Sequence, residues 1–278
     1  MALELVWERD GVRLAGLDYG GDGPSVLLLH GLAGYAGEWA ETAGWLTEHC
    51  RVVALDARGH GRSERRPPDV SPGAHAADAV FAVERLGLGP VVVVGQSLGG
   101  RTALLFAAQR PDLARGLVLA DASPGGGDEA DAMEVDLAEL DKSLGRWPVP
   151  FASRDAAVAF FGGPSLNAEA WADGLEHRAD GWWPRFDIDV MVQTLREAVS
   201  RSCWEDWERI SCPSLVVRAG GGSLAPGDAR AMAARGQNVR LVELAGAKHD
   251  LHLDRPAEWR QALTEFVRSL AADAAPGR

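Results

Sequence analysis

Ser97 sits between two glycines in Gly95-Gln96-Ser97-Leu98-Gly99, after the apolar run Val91-Val92-Val93-Val94 and before the helix-like stretch Arg101 to Ala108. A Gly-x-Ser-x-Gly between a strand and a helix predicts a nucleophile elbow, a turn tight enough to strain the serine backbone. Small residues two places either side let strand and helix approach, and the helix N-terminus favours negative charge developing at the hydroxyl. A serine hydroxyl is a poor nucleophile near neutral pH. It needs a base within reach, a group that orients the base, and donors for an oxyanion.

Seven histidines compete for the base: His30, His49, His60, His75, His177, His249 and His252. Only His249 and His252 fall in the loop Gly246 to Asp254, after the last predicted strand, and His249 is the expected base. His252, near the start of the final predicted helix, is expected to pack or cap there. The N–H of Leu98, next after the nucleophile, is the expected first oxyanion donor. The second is expected from the loop His30-Gly31-Leu32-Ala33-Gly34, at the N–H of Leu32.

The elements that must position these groups alternate along the chain. Leu3 to Glu8 and Val12 to Tyr19 read as an antiparallel pair joined at Asp10-Gly11. Ser25 to His30, Arg51 to Asp56, Val91 to Val94 and Gly116 to Ala120 read as strands. The apolar runs among them suit a parallel sheet covered on both faces. Ser71-Pro72 starts a helix, with serine at the cap and proline at the first position, and Gly87 ends it. From Asp128 to about Ile210 no strong strand is found, and the stretch turns from acidic to aromatic-rich. Strands resume at Pro213 to Arg218 and Val239 to Leu244. The expected architecture is an α/β core, residues 1–123 and 211–278, with a helical cap inserted at 124–210 over the carboxyl ends of the strands.

Bulk properties narrow the function classes. The chain has 278 residues and a net charge of −12, which argues against nucleic acid or an anionic membrane as partner. Cys50, Cys203 and Cys212 are widely spaced, with no metal-ligand or disulfide pattern. No cofactor or metal is expected. The first eight residues alternate like a strand and lack the features of a signal peptide, and no apolar run reaches membrane-spanning length. A cytoplasmic enzyme is expected, and the oligomeric state stays open.

Leu29-His30-Gly31, Asp56-Ala57-Arg58-Gly59-His60-Gly61-Arg62-Ser63, Gly95-Gln96-Ser97-Leu98-Gly99-Gly100 and Gly246-Ala247-Lys248-His249 together resemble the α/β-hydrolase superfamily, in its order and over nearly the whole chain. The resemblance implies a mostly parallel eight-stranded sheet with helices on both faces and a helical cap after strand six. It also implies structural roles for Arg58 and His60. In similar proteins the triad acid usually follows the seventh strand, yet Arg218 to Pro226 holds no carboxylate. Some relatives carry it at the end of the sixth strand, where this chain has Asp121. Asp121 is therefore the expected acid, with Asp228, Asp250 or no acid at all as the alternatives.

A serine at the elbow argues against epoxide opening and dehalogenation, in which such folds use aspartate. It fits a hydrolase acting on a small to medium apolar carboxylic ester or lactone through an acyl-enzyme. C–C bond hydrolysis, cofactor-free perhydrolysis and a non-catalytic ligand-binding protein are the alternatives. Tyr35, Trp39, Trp182, Trp183 and Phe186 are expected to touch the substrate.

Overall fold

The structure, a computed structural model, describes residues 2–126 and 130–272. Among these residues, no helix is long and apolar enough to cross a membrane. The first half of the chain runs β1 (Leu3–Arg9), β2 (Val12–Gly20), β3 (Ser25–Leu29), α1 (Ala40–Leu46), β4 (Arg51–Asp56), α2 (Pro72–Leu86), β5 (Val91–Gln96), α3 (Leu98–Gln109) and β6 (Ala114–Ala120). The core closes with β9 (Ser214–Ala219), α9 (Pro226–Arg235), β10 (Val239–Leu244), α10 (Leu251–Asp254) and α11 (Pro256–Ala272).

Eight strands form one sheet in the order β1-β2-β4-β3-β5-β6-β9-β10. Only the β1–β2 and β2–β4 pairs are antiparallel. The core strands are apolar at nearly every position because both faces are covered. Leu27, Leu29, Val93, Leu117 and Val216 face the layer containing α2 and α3. Their neighbours Val26, Leu28, Val92, Val94, Val118 and Leu215 face the opposite layer, with Trp39, Ala43, Trp259 and Phe266. Helix α2 shows how local signals set such elements: Ser71 Oγ accepts the Ala74 N–H at 3.3 Å, Pro72 opens the helix, and Gly87 closes it at φ 63°.

The strand order contains the feature that creates a site. After β3 the chain moves outward to β4, then returns across β3 to β5 on the other side. At such a switch point the loops leaving neighbouring strands diverge and open a crevice at their carboxyl ends. The loop after β3 and the elbow after β5 therefore flank one crevice.

Between β6 and β9, the described residues add no strand to this sheet. They form α4 (Ala130–Gly145), α5 (Arg154–Phe160), α6 (Leu166–Asp173), α7 (Ile188–Val199) and α8 (Trp204–Glu208). A two-stranded hairpin, β7 (Glu176–Arg178) and β8 (Gly181–Trp183), was not legible in the sequence. Its strands have three residues each, too short for a period to show. The hairpin is anchored instead by Phe151 and Trp182, whose backbones exchange two hydrogen bonds of 2.9 Å.

Candidate active site

Ser97 adopts φ 50°, ψ −115°, a conformation L-residues rarely hold. The close approach of β5 and α3 imposes it. A Cβ on Gly95 would lie 2.1 Å from Gly99 O, and a Cβ on Gly99 would lie 2.2 Å from Leu29 O. Glycine spacing in the pentapeptide is therefore a packing requirement. Among the described residues, the non-glycine positions at positive φ are Asp10, Ala33, Ser97 and Asp121. Three of them, Ala33, Ser97 and Asp121, follow β3, β5 and β6 at the crevice, so the positions of uncommon backbone conformation gather at one place.

Asp121 follows β6 at φ 49° and is 0% exposed. Its Oδ1 accepts the N–H groups of Ala219 at 3.2 Å and Leu224 at 3.3 Å. Its Oδ2 accepts Ser223 N–H at 2.6 Å and Ser223 Oγ–H at 3.2 Å. The same Oδ2 lies 2.7 Å from His249 Nδ1. Facing a carboxylate, Nδ1 carries the ring proton, which leaves the Nε2 lone pair as the basic site. Ser223 Oγ lies 3.1 Å from His249 Nδ1 as well, so the turn after β9 braces both partners.

Burial resists charge on this pair, but the contacts outweigh it. Desolvation would raise the Asp121 carboxyl, yet the His249 hydrogen bond and Ser223 N–H hold it below its ordinary value. Desolvation would lower His249, yet the Asp121 hydrogen bond and the Asp250 charge hold it above 6.5. Nε2 makes no hydrogen bond among the described residues, Ser97 Oγ included.

Leu98 and Leu32, whose N–H groups are the expected oxyanion donors, both line the cleft that holds Ser97. Leu98 is the first residue of α3, so its N–H has no intrahelical acceptor. Gly31 C=O is held by Gly34 N–H at 3.1 Å and faces His30 Nδ1 at 2.7 Å. His30 Nε2 accepts Ala57 N–H at 3.0 Å, which puts the His30 proton on Nδ1 and makes it the donor to Gly31. A trans peptide points its N–H opposite its C=O, so fixing Gly31 O aims Leu32 N–H the other way.

Ser97, Leu32, Leu98, Asp121 and His249 all line one cleft of about 860 Å³. Aliphatic side chains, Leu140 and Leu144 from α4 and Leu195, Ala198 and Val199 from α7, share its walls with polar ones such as Arg101, Asp228 and Asp250. The alpha/beta hydrolase fold family matches residues 24–256. The chain belongs to the α/β-hydrolase family.

Lipase LipV of Mycobacterium tuberculosis is 42% identical over 209 residues, covering 71% of this chain and 67% of the lipase. The sn-1-specific diacylglycerol lipase ABHD11 of Mus musculus is 28% identical over 253 residues, 88% of this chain and 81% of that protein. The solved structure of E-2-(acetamidomethylene)succinate hydrolase superimposes with a TM-score of 0.85 at 23% identity, covering 96% of this chain and all of that one.

Within this α/β-hydrolase the sequence-selected residues divide into two groups. Ser97, His249, Asp121, Leu32 and Leu98 come together at the cleft. The five aromatic residues lie away from its walls. Trp39 is 0% exposed and stacks on His252 at 4.2 Å, beneath the sheet's helical layer. Tyr35 and Phe186 line a separate cavity of about 20 Å³. Trp182 joins the insertion's own core, and Trp183 donates to Asp180 on the exposed side of the hairpin at 2.9 Å. The aromatic side chain that does line the cleft, among the described residues, is Trp171. Asp228 lies on the cleft wall and accepts Ser123 Oγ–H at 3.3 Å, with no contact to His249. Arg58 forms a buried two-point pair with Asp78, at 2.7 and 2.8 Å, outside the cleft lining. Ser223, in the turn after β9 where similar proteins place a carboxylate, contacts both Asp121 and His249, yet a lone loop serine carries no signal of this in the sequence.

Proposed function

We propose that the chain is a serine hydrolase that cleaves a small to medium apolar carboxylic ester or lactone, with Ser97 as nucleophile, His249 as base and Asp121 as its orienter. The observation that carries this reading is the His249–Asp121 contact of 2.7 Å at the cleft that also holds the strained Ser97. His249 Nε2 takes the Ser97 proton as Oγ attacks the ester carbonyl. The N–H groups of Leu32 and Leu98 receive the oxyanion, and each such donor is worth about 3 kcal/mol in the transition state. His249 then protonates the leaving alkoxide and activates water to release the acid. Residues 124–210 act as a cap, and the leucines of α4 and α7 receive the apolar part of the substrate.

A fluorophosphonate probe and a series of p-nitrophenyl esters test this directly. Covalent labelling at Ser97 and turnover of short to medium acyl esters are expected. A protein that neither labels nor turns over any ester is not a serine hydrolase. Labelling without ester turnover removes the ester half of the reading and favours a different scissile bond.

The rate should also follow His249. The base must be neutral, so kcat/KM falls with decreasing pH through an apparent pKa above 6.5, the ordinary histidine value. The stability effect has the opposite sense. A raised pKa in the folded state means that protonated His249 stabilises the fold below 6.5, and this contribution is lost as pH rises through the folded value. A pH–rate profile with an acid limb below 6.5 would contradict this pairing.

A further inference from the structure

Asp250 follows the proposed base directly, and its carboxylate has no part in the triad. It precedes α10 at the cap position, where aspartate ordinarily accepts a helix N–H. Here the side chain makes no such bond. It turns instead toward the insertion: Oδ2 accepts Trp171 Nε1–H at 3.1 Å and Asn167 Nδ2–H at 3.3 Å. Both donors lie on α6. Oδ1 lies 3.5 Å from Gln96 Nε2, whose shorter bond, 3.1 Å, goes to His249 C=O. Gln96 is 2% exposed and immediately precedes Ser97. Three parts of the proposed machinery, the elbow, the histidine loop and the insertion, therefore converge on one carboxylate. Trp171 and Asp250 both line the cleft.

We propose that Asp250 is a positioning residue that latches α6 to the histidine loop, so that the hold on α6 and the placement of His249 depend on one carboxylate. Its link to catalysis rests on the Ser97–His249–Asp121 reading, whereas the latch itself does not. A carboxylate suits the task because it accepts several hydrogen bonds at once, and charge makes each of them stronger. The same charge favours protonated His249, alongside Asp121 and the more distant Glu38 and against the cost of burial. Removing it therefore alters the base itself as well as the contact with α6.

The test uses the full chain with Asp250→Ala, Asp250→Asn, Trp171→Phe and the Asp250→Ala/Trp171→Phe double variant. Hydrogen–deuterium exchange is read over residues 165–174, and pH–rate profiles are measured with a p-nitrophenyl ester. Asp250→Ala is expected to speed exchange in α6 by about tenfold, and the double variant is expected to exceed the larger single effect by little, as for partners in one contact. The acid limb of Asp250→Asn should move to lower pH, while that of Trp171→Phe stays in place and its KM rises. A side chain serving packing alone would leave every acid limb unmoved. Unchanged α6 exchange in Asp250→Ala overturns the latch, and an unshifted limb in Asp250→Asn overturns its coupling to the base. Exchange needs no turnover, and NMR titration of His249 reports the same shift if no ester is cleaved. A wild type that fails to label with fluorophosphonate thus counts against the proposed function and not against the latch.

Discussion

Ser97→Ala is expected to lower kcat for ester hydrolysis by about a million-fold, the scale of losing the nucleophile from a triad that acts as a unit. Alanine retains the Cβ and with it the strained backbone at φ 50°, ψ −115°, so its melting temperature should stay near that of the wild type. Ser97→Gly separates chemistry from strain. It loses the same activity, yet the observed dihedrals are close to the mirror image of extended backbone, which glycine adopts freely. Relief of strain should stabilise this variant by about 1–3 kcal/mol, less roughly 0.5–1 kcal/mol for glycine's greater freedom when unfolded. A thermal melt of the two inactive variants, compared with each other, measures the stability given up to present the hydroxyl. If Ser97→Gly melted below Ser97→Ala, the elbow would not be strained. An alanine variant with near-normal turnover would remove Ser97 from the mechanism.

The parts of this molecule legible in the sequence are those fixed by local chemistry. Ser71, Pro72 and Gly87 mark both ends of α2, since a cap hydroxyl, a proline without an N–H and a left-handed glycine act on their immediate neighbours. The buried strands announce themselves because two covered faces demand apolar side chains throughout. The residues that came together at the cleft share the property of standing just after a strand, where the switch in strand order gathers them. What stayed hidden depends on which way a side chain turns. Composition shows that residues 128–210 are rich in aromatics, but not that Trp147 packs among Phe151, Phe161, Trp171 and Phe186, with ring centroids 4.9 to 6.3 Å apart. Those rings pack on one another, and of them Trp171 reaches the cleft, beside Leu140 and Leu144 of α4 and Leu195 of α7. The contacts of Ser223 and Asp250 were equally silent, because a hydroxyl or carboxylate in a loop has no period and gains meaning only from partners distant in the chain.

Asp121→Asn should cost about ten-thousand-fold in kcat, because the amide can stabilise the wrong histidine tautomer. If the amide nitrogen faces Nδ1, it donates, Nδ1 becomes the acceptor, and the proton moves to Nε2, where no base remains for Ser97. If the oxygen faces Nδ1 instead, the amide nitrogen is driven against the N–H groups of Ala219 and Leu224, which now bond Oδ1. Neither orientation satisfies a site that receives five donors and is 0% exposed. Burying such unpaired donors costs about 1–3 kcal/mol, so a lower melting temperature should accompany the loss of rate. The charge also ties this residue to acid stability. Its folded pKa is depressed, so its stabilising contribution is present above the ordinary value of 3.8 and is lost as pH falls through the depressed one. Asp121→Asn should flatten that acid-side decline. Asp228→Asn serves as the comparison. Its carboxylate contacts Ser123 alone among the described side chains and does not touch the imidazole. It should keep activity within a few-fold, since one half-buried hydrogen bond contributes only about 1 kcal/mol. Steady-state rates and melts of the two variants, measured side by side, decide the matter: loss at Asp228 with retention at Asp121 would move the acid to the first turn of α9.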